Sequence, residues 1–210
     1  MLIGIDEVGR GAWAGPLAVG AAGGDLTEVS QLLRRRSGEG YYDSKALTPK
    51  RRQSVLLQLR AAGVSYGVGF ARASEIDLFG LTKALAMAAE RALEQLSFTM
   101  TVASANPWHI LLDGKSNYLG ERQADTIVGG DRAHPLIAAA SIVAKVARDE
   151  LMKNLDDELP YWDFESSKGY GSMRHRYGLI WQGPSIEHRR SFRPVRELAM
   201  PCTAPFFLKS

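Results

Sequence analysis

The chain has little cysteine, little histidine and no long apolar run. Its 210 residues include one cysteine and four histidines, which excludes an intrachain disulfide framework and gives little support to a zinc site. A single cysteine is typical of a reducing compartment, so we expect a cytoplasmic location. No apolar stretch approaches the about 20 residues that cross a bilayer, and no leader pattern precedes Leu2. We therefore expect neither a membrane span nor a secretion signal.

The chain also has no large excess of charge of either sign. The chain carries 26 Lys and Arg against 23 Asp and Glu, a net charge of +3. This mildly basic balance is compatible with a polyanionic partner but does not identify one. The hydrophobic share of 45% is typical of a globular domain. We expect one continuous unit, with an α/β core over residues 1–159 and a helical C-terminal extension over 160–210 that packs beside the active site.

Residue periodicity predicts a mixed α/β sheet flanked by helices. Predicted strands lie at Leu2–Ile5, 17–22, 64–70, 109–112 and 125–131. Helices are predicted at 50–62, 81–96 and 135–159, with Thr48 and Pro49 as start signals for the first and His134-Pro135 for the third. Further helical pieces are predicted near 173–181 and 194–199, and a loop at 97–107. Helices are expected between the third, fourth and fifth strands.

Acidic residues follow three of the predicted strands. Asp6 and Glu7 follow the first strand, Asp113 follows the fourth, and Asp131 closes the fifth. If these strands are neighbours, four carboxylates meet at one edge of the sheet, where ligands of open α/β sheets bind. Adjacent carboxylates are costly to hold together unless cations neutralise them. Hard divalent ions such as Mg²⁺ take oxygen ligands of this kind.

A glycine-flanked arginine, Gly9-Arg10-Gly11, follows the first pair of acids. Glycines let backbone N–H groups approach a phosphate or sugar closely, which favours a metal-dependent phosphodiester site. A dinucleotide-binding loop is the neighbouring alternative, but Gly9, Gly11 and Gly15 do not have its G-x-G-x-x-G spacing. A hairpin turn with two exposed acids remains open from spacing alone.

The sequence closely resembles the type 2 ribonucleases H, the ribonuclease HII family, from about Ile3 to Arg196. The specific motifs are Asp6-Glu-Val-Gly-Arg-Gly11 and Ala138-Ala-Ala-Ser-Ile-Val-Ala-Lys145. Shorter matches follow in the family's order: Asp43-Ser-Lys45, Leu112-Asp-Gly114, Gly130-Asp131, Lys168-Gly-Tyr-Gly171 and His188-Arg-Arg-Ser-Phe-Arg193. Type 3 relatives carry an additional N-terminal domain, so we expect type 2 because the first predicted strand begins at Leu2.

The resemblance implies a ribonuclease H-like fold and assigns the candidate residues. Asp6, Glu7, Asp113 and Asp131 would be catalytic and would bind two divalent ions, Mg²⁺ or Mn²⁺. The backbone of Gly9, Arg10 and Gly11 would lie against the 2′-hydroxyl beside the scissile phosphate, a group that distinguishes RNA from DNA. Tyr170 would pack on the neighbouring sugar, and Lys45 would contact backbone phosphate or remain a solvated loop lysine.

Several positions depart from the family pattern or stay open. Ala12 and Trp13 replace the usual proline and aliphatic residue, and Arg132 takes the place of a small residue before a lysine. Lys145 could contact nucleic acid or pair with Asp149, four residues on. The basic run at 188–190 could hold phosphate or have a helix-surface or capping role.

Three functions from different classes compete. The first is an endoribonuclease that cuts the RNA strand of RNA/DNA hybrids and cuts 5′ of ribonucleotides embedded in duplex DNA, with a role in removing misincorporated ribonucleotides and primers. The second is a non-catalytic hybrid-binding module, which would have no need of four carboxylates. The third is a junction nuclease, which the glycine motifs disfavour. We expect a monomer. The tail at Pro205-Phe206-Phe207 is an incomplete match to sliding-clamp-binding tails. It lacks the upstream glutamine and the aliphatic spacing, which favours an ordinary frayed terminus.

Overall fold

One mixed sheet organises the protein. The computed structural model describes residues 1–34, 40–100 and 108–199. The strands are β1 (Leu2–Val8), β2 (Leu17–Gly23), β3 (Ser65–Ala71), β4 (His109–Asp113) and β5 (Ala124–Ile127), in the spatial order β3-β2-β1-β4-β5. The pairs β1–β2 and β2–β3 are antiparallel, whereas β4 runs parallel to both β1 and β5. The predicted mixed α/β sheet is confirmed.

Helices cover the sheet and form the C-terminal part of the described chain. They are α1 (Leu26–Leu33), α2 (Pro49–Ala61), α3 (Ala73–Phe79), α4 (Leu81–Thr99), α5 (Gly130–Ala133), α6 (Pro135–Glu158), α7 (Phe164–Ser167), α8 (Met173–Gln182) and α9 (Arg193–Ala199). The Thr48 side chain accepts a hydrogen bond from the backbone N–H of Arg51 and caps α2. The predicted starts at Pro49, Leu81 and Pro135 are confirmed.

Four local predictions need correction. β1 continues past Ile5, because Asp6 and Glu7 pair with Gly20 and Val19 of β2, so the two acids lie within the strand. Asp131 lies in α5, after β5 has ended at Ile127. Residues 114–123 connect β4 to β5 without a helix, and residues 97–99 belong to α4. The rest of the predicted loop, 101–107, lies outside the described residues, as does the tail at 205–207.

Helices α4 and α6 approach the sheet at backbone distance. A Cβ added to Gly20 of β2 would overlap the carbonyl of Ala140 in α6, and one added to Gly69 of β3 would overlap the carbonyl of Ala88 in α4. Gly4 of β1 likewise leaves no room against Leu136. Small residues on both surfaces therefore fix the distance between the sheet and its helices.

Residues 160–199 pack against the end of α6 and the loop after β1. Their buried side chains form one apolar cluster made of Ala14, Met152, Trp162, Phe164, Leu179 and Val195. This packing holds α8 next to the Gly9–Pro16 loop. Within the described part of the chain, no helix is long and apolar enough to cross a membrane.

Candidate active site

The sheet topology brings the predicted acids to one edge. β1, which carries Asp6 and Glu7, is the parallel neighbour of β4, which ends at Asp113. Asp131 lies in α5, shortly after β5, and the backbone N–H of Gly130 donates to Oδ1 of Asp113 over 2.7 Å. The backbone N–H of Glu7 donates to Oδ1 of Asp6 over 2.8 Å. Asp6 and Asp131 are buried.

The pKa values of three of the four carboxylates are raised, and Asp113 contributes to each rise. Burial raises the pKa of Asp6 from its ordinary 3.8 to about 8, and the Glu7 and Asp113 carboxylates add to the rise. Burial also raises the pKa of Glu7 and of Asp131, and in both cases Asp113 contributes further. The charge of Asp113 thus raises the pKa of each of the other three carboxyl groups. The group holds negative charge that no nearby cation fully balances.

Cations reach only two members of this group. Nη1 of Arg10 lies 3.5 Å from Oε1 of Glu7, and Nε of Arg132 lies 3.9 Å from Oδ1 of Asp131. Across residues 1–34, 40–100 and 108–199, Asp6 and Asp113 form no ion pair, and no three acidic, histidine or cysteine side chains are arranged to hold one metal ion.

The donor chemistry nevertheless fits hard divalent cations. All four candidate ligands are carboxylates, the group that Mg²⁺ and Mn²⁺ prefer. Two of them are buried at an energetic cost that a bound cation would remove. These four residues are therefore the ones that would hold such a cation.

A buried pair of serines supports Asp6. The Ser141 hydroxyl on α6 opposes part of the rise in the pKa of Asp6, and its Oγ lies 2.9 Å from Oγ of Ser44. Arg52 secures Ser44 by donating from Nη1 to its carbonyl over 2.8 Å. The motif Asp43-Ser-Lys45 and the small-residue motif of α6 thus meet behind the first carboxylate.

The glycine loop and Tyr170 lie side by side. Gly9 has φ of +85°, a conformation that favours glycine, and a Cβ there would overlap the Arg148 guanidinium. A Cβ on Gly11 would lie 3.9 Å from Cε1 of Tyr170. The Tyr170 side chain is 44% exposed, so its ring is available to a ligand that also touches the loop.

Two buried arginines donate hydrogen bonds to backbone carbonyls of the glycine loop and of the residues that follow it. Arg189 donates from Nη1 to the Arg10 carbonyl over 2.9 Å and from Nε and Nη2 to the Gly15 carbonyl over 3.1 and 3.0 Å. Arg148 donates from Nε to the Pro16 carbonyl over 2.9 Å. Both are fully buried. Phosphate binding, one of the roles considered for the 188–190 run, is wrong for Arg189, because its guanidinium is occupied by backbone carbonyls.

Of the remaining candidate residues, Lys45 is exposed, whereas Lys145 and Trp13 contact other side chains. Lys45 is exposed and lies close enough to Asp131 to lower its pKa. Lys145 pairs with Asp149 over 2.6 Å, which favours the ion-pair alternative. Trp13 packs under the Arg176 guanidinium, 5.1 Å from the ring centroid, and beside His175.

Sequence analysis missed several supporting residues: Ser44, Ser141, Arg148, His175 and Arg189. The position of Ser141 in a motif of small residues could have indicated a helix face packed closely on the sheet. For Arg189, neighbouring arginines have identical chemistry, so the sequence offers no signal of which one is buried.

The raised pKa of Asp6 predicts that Asp6→Asn stabilises the metal-free protein. The folded-state pKa of about 8 lies above the ordinary 3.8, so this carboxyl makes wild-type stability fall as pH rises through that interval. In EDTA, Asp6→Asn should gain about 1 kcal/mol or more at pH 8, about 2–4 °C in Tm. Thermal melts should show the gain shrinking towards pH 4.

Glu121→Gln, which alters an exposed carboxylate, is the control for this measurement and should leave Tm unchanged. An unaltered or lower Tm for Asp6→Asn at pH 8 would contradict the prediction that the buried Asp6 carboxylate destabilises the metal-free protein.

Comparison with known proteins identifies a family. The family model described as Ribonuclease HII matches residues 3–195. Ribonuclease HII of Streptomyces avermitilis is 42% identical over 193 residues, which is 91% of this chain and 76% of that relative.

Solved structures agree. Ribonuclease H2 from Pyrococcus horikoshii superposes with a TM-score of 0.70 at 25% identity and covers 94% of this chain and 96% of its own. Ribonuclease HII of Archaeoglobus fulgidus, solved in a complex with PCNA, gives 0.69 at 25% identity, with 90% and 93% covered. With the acidic edge described above, these matches show that the chain belongs to the ribonuclease HII family of metal-dependent endoribonucleases, which act on RNA/DNA hybrids.

Proposed function

We propose that the protein hydrolyses the phosphodiester on the 5′ side of a ribonucleotide, both in RNA/DNA hybrids and at single ribonucleotides embedded in duplex DNA. The observation that supports this most strongly is the position of the exposed Tyr170 ring next to the glycine loop, where a Cβ added to Gly11 would lie 3.9 Å from Cε1 of Tyr170. A backbone loop can contact a 2′-hydroxyl, and an exposed ring can pack on the next sugar. The biological role would be removal of misincorporated ribonucleotides and RNA primers.

The chain's own residues divide the work of this reaction. Backbone groups of Gly9, Arg10 and Gly11 would orient the ribonucleotide, with Arg148 and Arg189 keeping the loop rigid. The carboxylates of Asp6, Glu7, Asp113 and Asp131 would hold two divalent ions, Mg²⁺ or Mn²⁺, and the chemistry supplied by such ions would be activation of water and stabilisation of a leaving oxygen. The exposed Lys45 would contact a backbone phosphate near Asp131.

The acidic edge also distinguishes this proposal from a non-catalytic hybrid-binding module. Binding to a polyanion is driven by positive charge, and four clustered carboxylates oppose it unless cations are bound. A module that only bound nucleic acid would gain from losing them. Family membership likewise supports an enzyme.

The first test uses Mg²⁺ and a DNA duplex that contains one ribonucleotide. We expect a single cut 5′ of that ribonucleotide, leaving 3′-hydroxyl and 5′-phosphate ends that gel mobility and end-labelling distinguish. A long RNA/DNA hybrid should also be cut. The matched all-DNA duplex is the control, since it lacks the 2′-hydroxyl that the loop would contact, and cleavage of it at a comparable rate would contradict the proposal.

Tyr170 should contribute most where ribose meets deoxyribose. Tyr170→Ala removes the exposed ring, so we expect its single-turnover rate to fall about tenfold more on the single-ribonucleotide duplex than on a long hybrid, in line with about 1–3 kcal/mol per stacking contact. Tyr177→Ala, at an exposed aromatic on α8, is the matched control. Equal losses on both substrates would mean that Tyr170 has a general role.

We also propose that the protein acts as a cytoplasmic monomer that a sliding clamp can recruit. The complex of the Archaeoglobus fulgidus relative with PCNA supports a clamp partner. The incomplete motif at 205–207 is the candidate contact, and it lies outside the described residues. A gel-filtration shift of the mixture with a clamp would test this part of the proposal.

A further inference from the structure

A chain of hydrogen bonds leads from the loop before α9 to the backbone of Tyr170. The backbone N–H of Ser185 donates to Nδ1 of His188 over 2.9 Å. Nε2 of His188 lies 2.9 Å from Nε2 of His175. Nδ1 of His175 lies 2.9 Å from the carbonyl oxygen of Tyr170. Two imidazoles therefore connect Ser185 to Tyr170 without a gap.

The two ends of this chain determine where each proton lies. A backbone N–H can only donate, so Nδ1 of His188 accepts from Ser185 and its proton lies on Nε2. The Ser185 hydroxyl, whose Oγ is also 2.9 Å from Nδ1, then donates to the same nitrogen. That proton is donated to Nε2 of His175, whose own proton then lies on Nδ1. A carbonyl can only accept, so His175 donates to Tyr170. All donors thus point in one direction, from Ser185 towards Tyr170.

The surroundings keep both imidazoles neutral. His175 and His188 are buried, with Phe164 edge-on to His175 at 5.4 Å and Trp162 edge-on to His188 at 5.5 Å. Burial lowers the pKa of both, that of His188 to about 3. A second proton on either ring would set two N–H groups against each other. The pair is therefore built to hold one tautomeric arrangement.

Residues 185–189, which include His188, also form backbone hydrogen bonds with the glycine loop. The backbone of His188 bridges to Ala14, and the carbonyl of Glu187 accepts from the N–H of Gly15 over 2.9 Å. The N–H of Arg189 donates to the Trp13 carbonyl over 2.8 Å. Residues 185–189 consequently contact the glycine loop directly, and they reach Tyr170 through His175.

We propose that His175 and His188 are positioning residues for junction selectivity, because their hydrogen-bond chain sets the Tyr170 ring against the Gly9–Gly11 loop. The inference rests on the junction role proposed for Tyr170. Neither histidine touches substrate. Both act by fixing the Tyr170 carbonyl at a set distance from the segment that anchors the loop.

Two substitutions at one position separate positioning from simple packing. In His175→Asn the amide nitrogen takes the place of Nδ1 and can still donate to Tyr170. In His175→Gln the amide reaches the Nε2 position, towards His188, and leaves the Tyr170 carbonyl with only the backbone N–H of Ser172 as a donor. Both remove the same buried ring, so both should lower Tm to a similar extent.

The readout is the single-turnover rate on the single-ribonucleotide duplex divided by that on a long hybrid. We expect His175→Gln to lower this ratio about tenfold, as loss of one hydrogen bond permits, and His175→Asn to keep it near wild type. In the Tyr170→Ala background, His175→Gln should change the ratio no further. Equal ratios for the Asn and Gln variants would overturn the proposal.

Two further results keep the proposal separate from the function on which it rests. If Tyr170→Ala leaves the ratio unchanged, the junction role itself is wrong. If Tyr170→Ala lowers it but His175→Gln does not, only the positioning role is wrong. Nitrogen-15 NMR of the wild-type protein needs no variant to fold: it should show His175 protonated on Nδ1 and His188 on Nε2, and the opposite tautomers would overturn the chain.

Discussion

Replacing any one of the four clustered carboxylates by its amide is expected to lower kcat by at least about a hundredfold, a rise of about 2.7 kcal/mol in the barrier. The variants are Asp6→Asn, Glu7→Gln, Asp113→Asn and Asp131→Asn. An amide matches the shape of the acid but lacks the charge that a divalent cation requires. Single-turnover rates with Mg²⁺ measure the loss.

The carboxylate result has two controls. Asp125→Asn alters an exposed acid on β5 that pairs with His109, and it should leave kcat unchanged. EDTA should abolish wild-type activity, and added Mg²⁺ or Mn²⁺ should restore it. Near-wild-type rates for Asp6→Asn or Asp113→Asn would contradict the two-ion hypothesis.

Arg189→Met is expected to destabilise the fold by about 3 kcal/mol, because it leaves the buried carbonyls of Arg10 and Gly15 without their donor. At about 2–4 °C per kcal/mol for a domain of this size, Tm should fall by about 6–12 °C. The released loop should also lower kcat on single-ribonucleotide and hybrid substrates alike.

Arg190→Met is the matched control for that experiment. Arg190 is the next residue and is exposed. Its replacement should change the free energy of unfolding by less than about 0.5 kcal/mol and leave Tm close to that of the wild type. If both variants melted alike, the buried guanidinium would not be what holds the glycine loop.

Local chemistry made most of the fold predictable. Pro49 and Pro135 marked helix starts because proline suits the first turn of a helix, and alternating or apolar runs located the strands. The extension of β1 through Asp6 and Glu7 was not predictable in the same way. Its antiparallel pairing with Gly20 and Val19 is a tertiary contact that overrides the usual bias against acids in strands.

The support of the candidate site was the harder part to predict. The four acids were recognisable because each stood beside a strand or a glycine. Ser44 and Ser141 are 97 residues apart, and no local pattern indicates that they meet. His175 and His188 likewise become partners only when α8 and the loop before α9 fold together.

The close contact of α6 with the sheet limits how this enzyme could be engineered. Filling small positions in a core is a common route to greater thermostability, but at Gly4 and Gly20 an added methyl group would push α6 outward. Ser141 lies on that helix, so its hydroxyl would move away from Asp6, whose pKa it lowers, with every such substitution. Heat-tolerant variants should therefore be sought on solvent-facing helix surfaces, where a gain in stability leaves the distance between α6 and β1 unchanged.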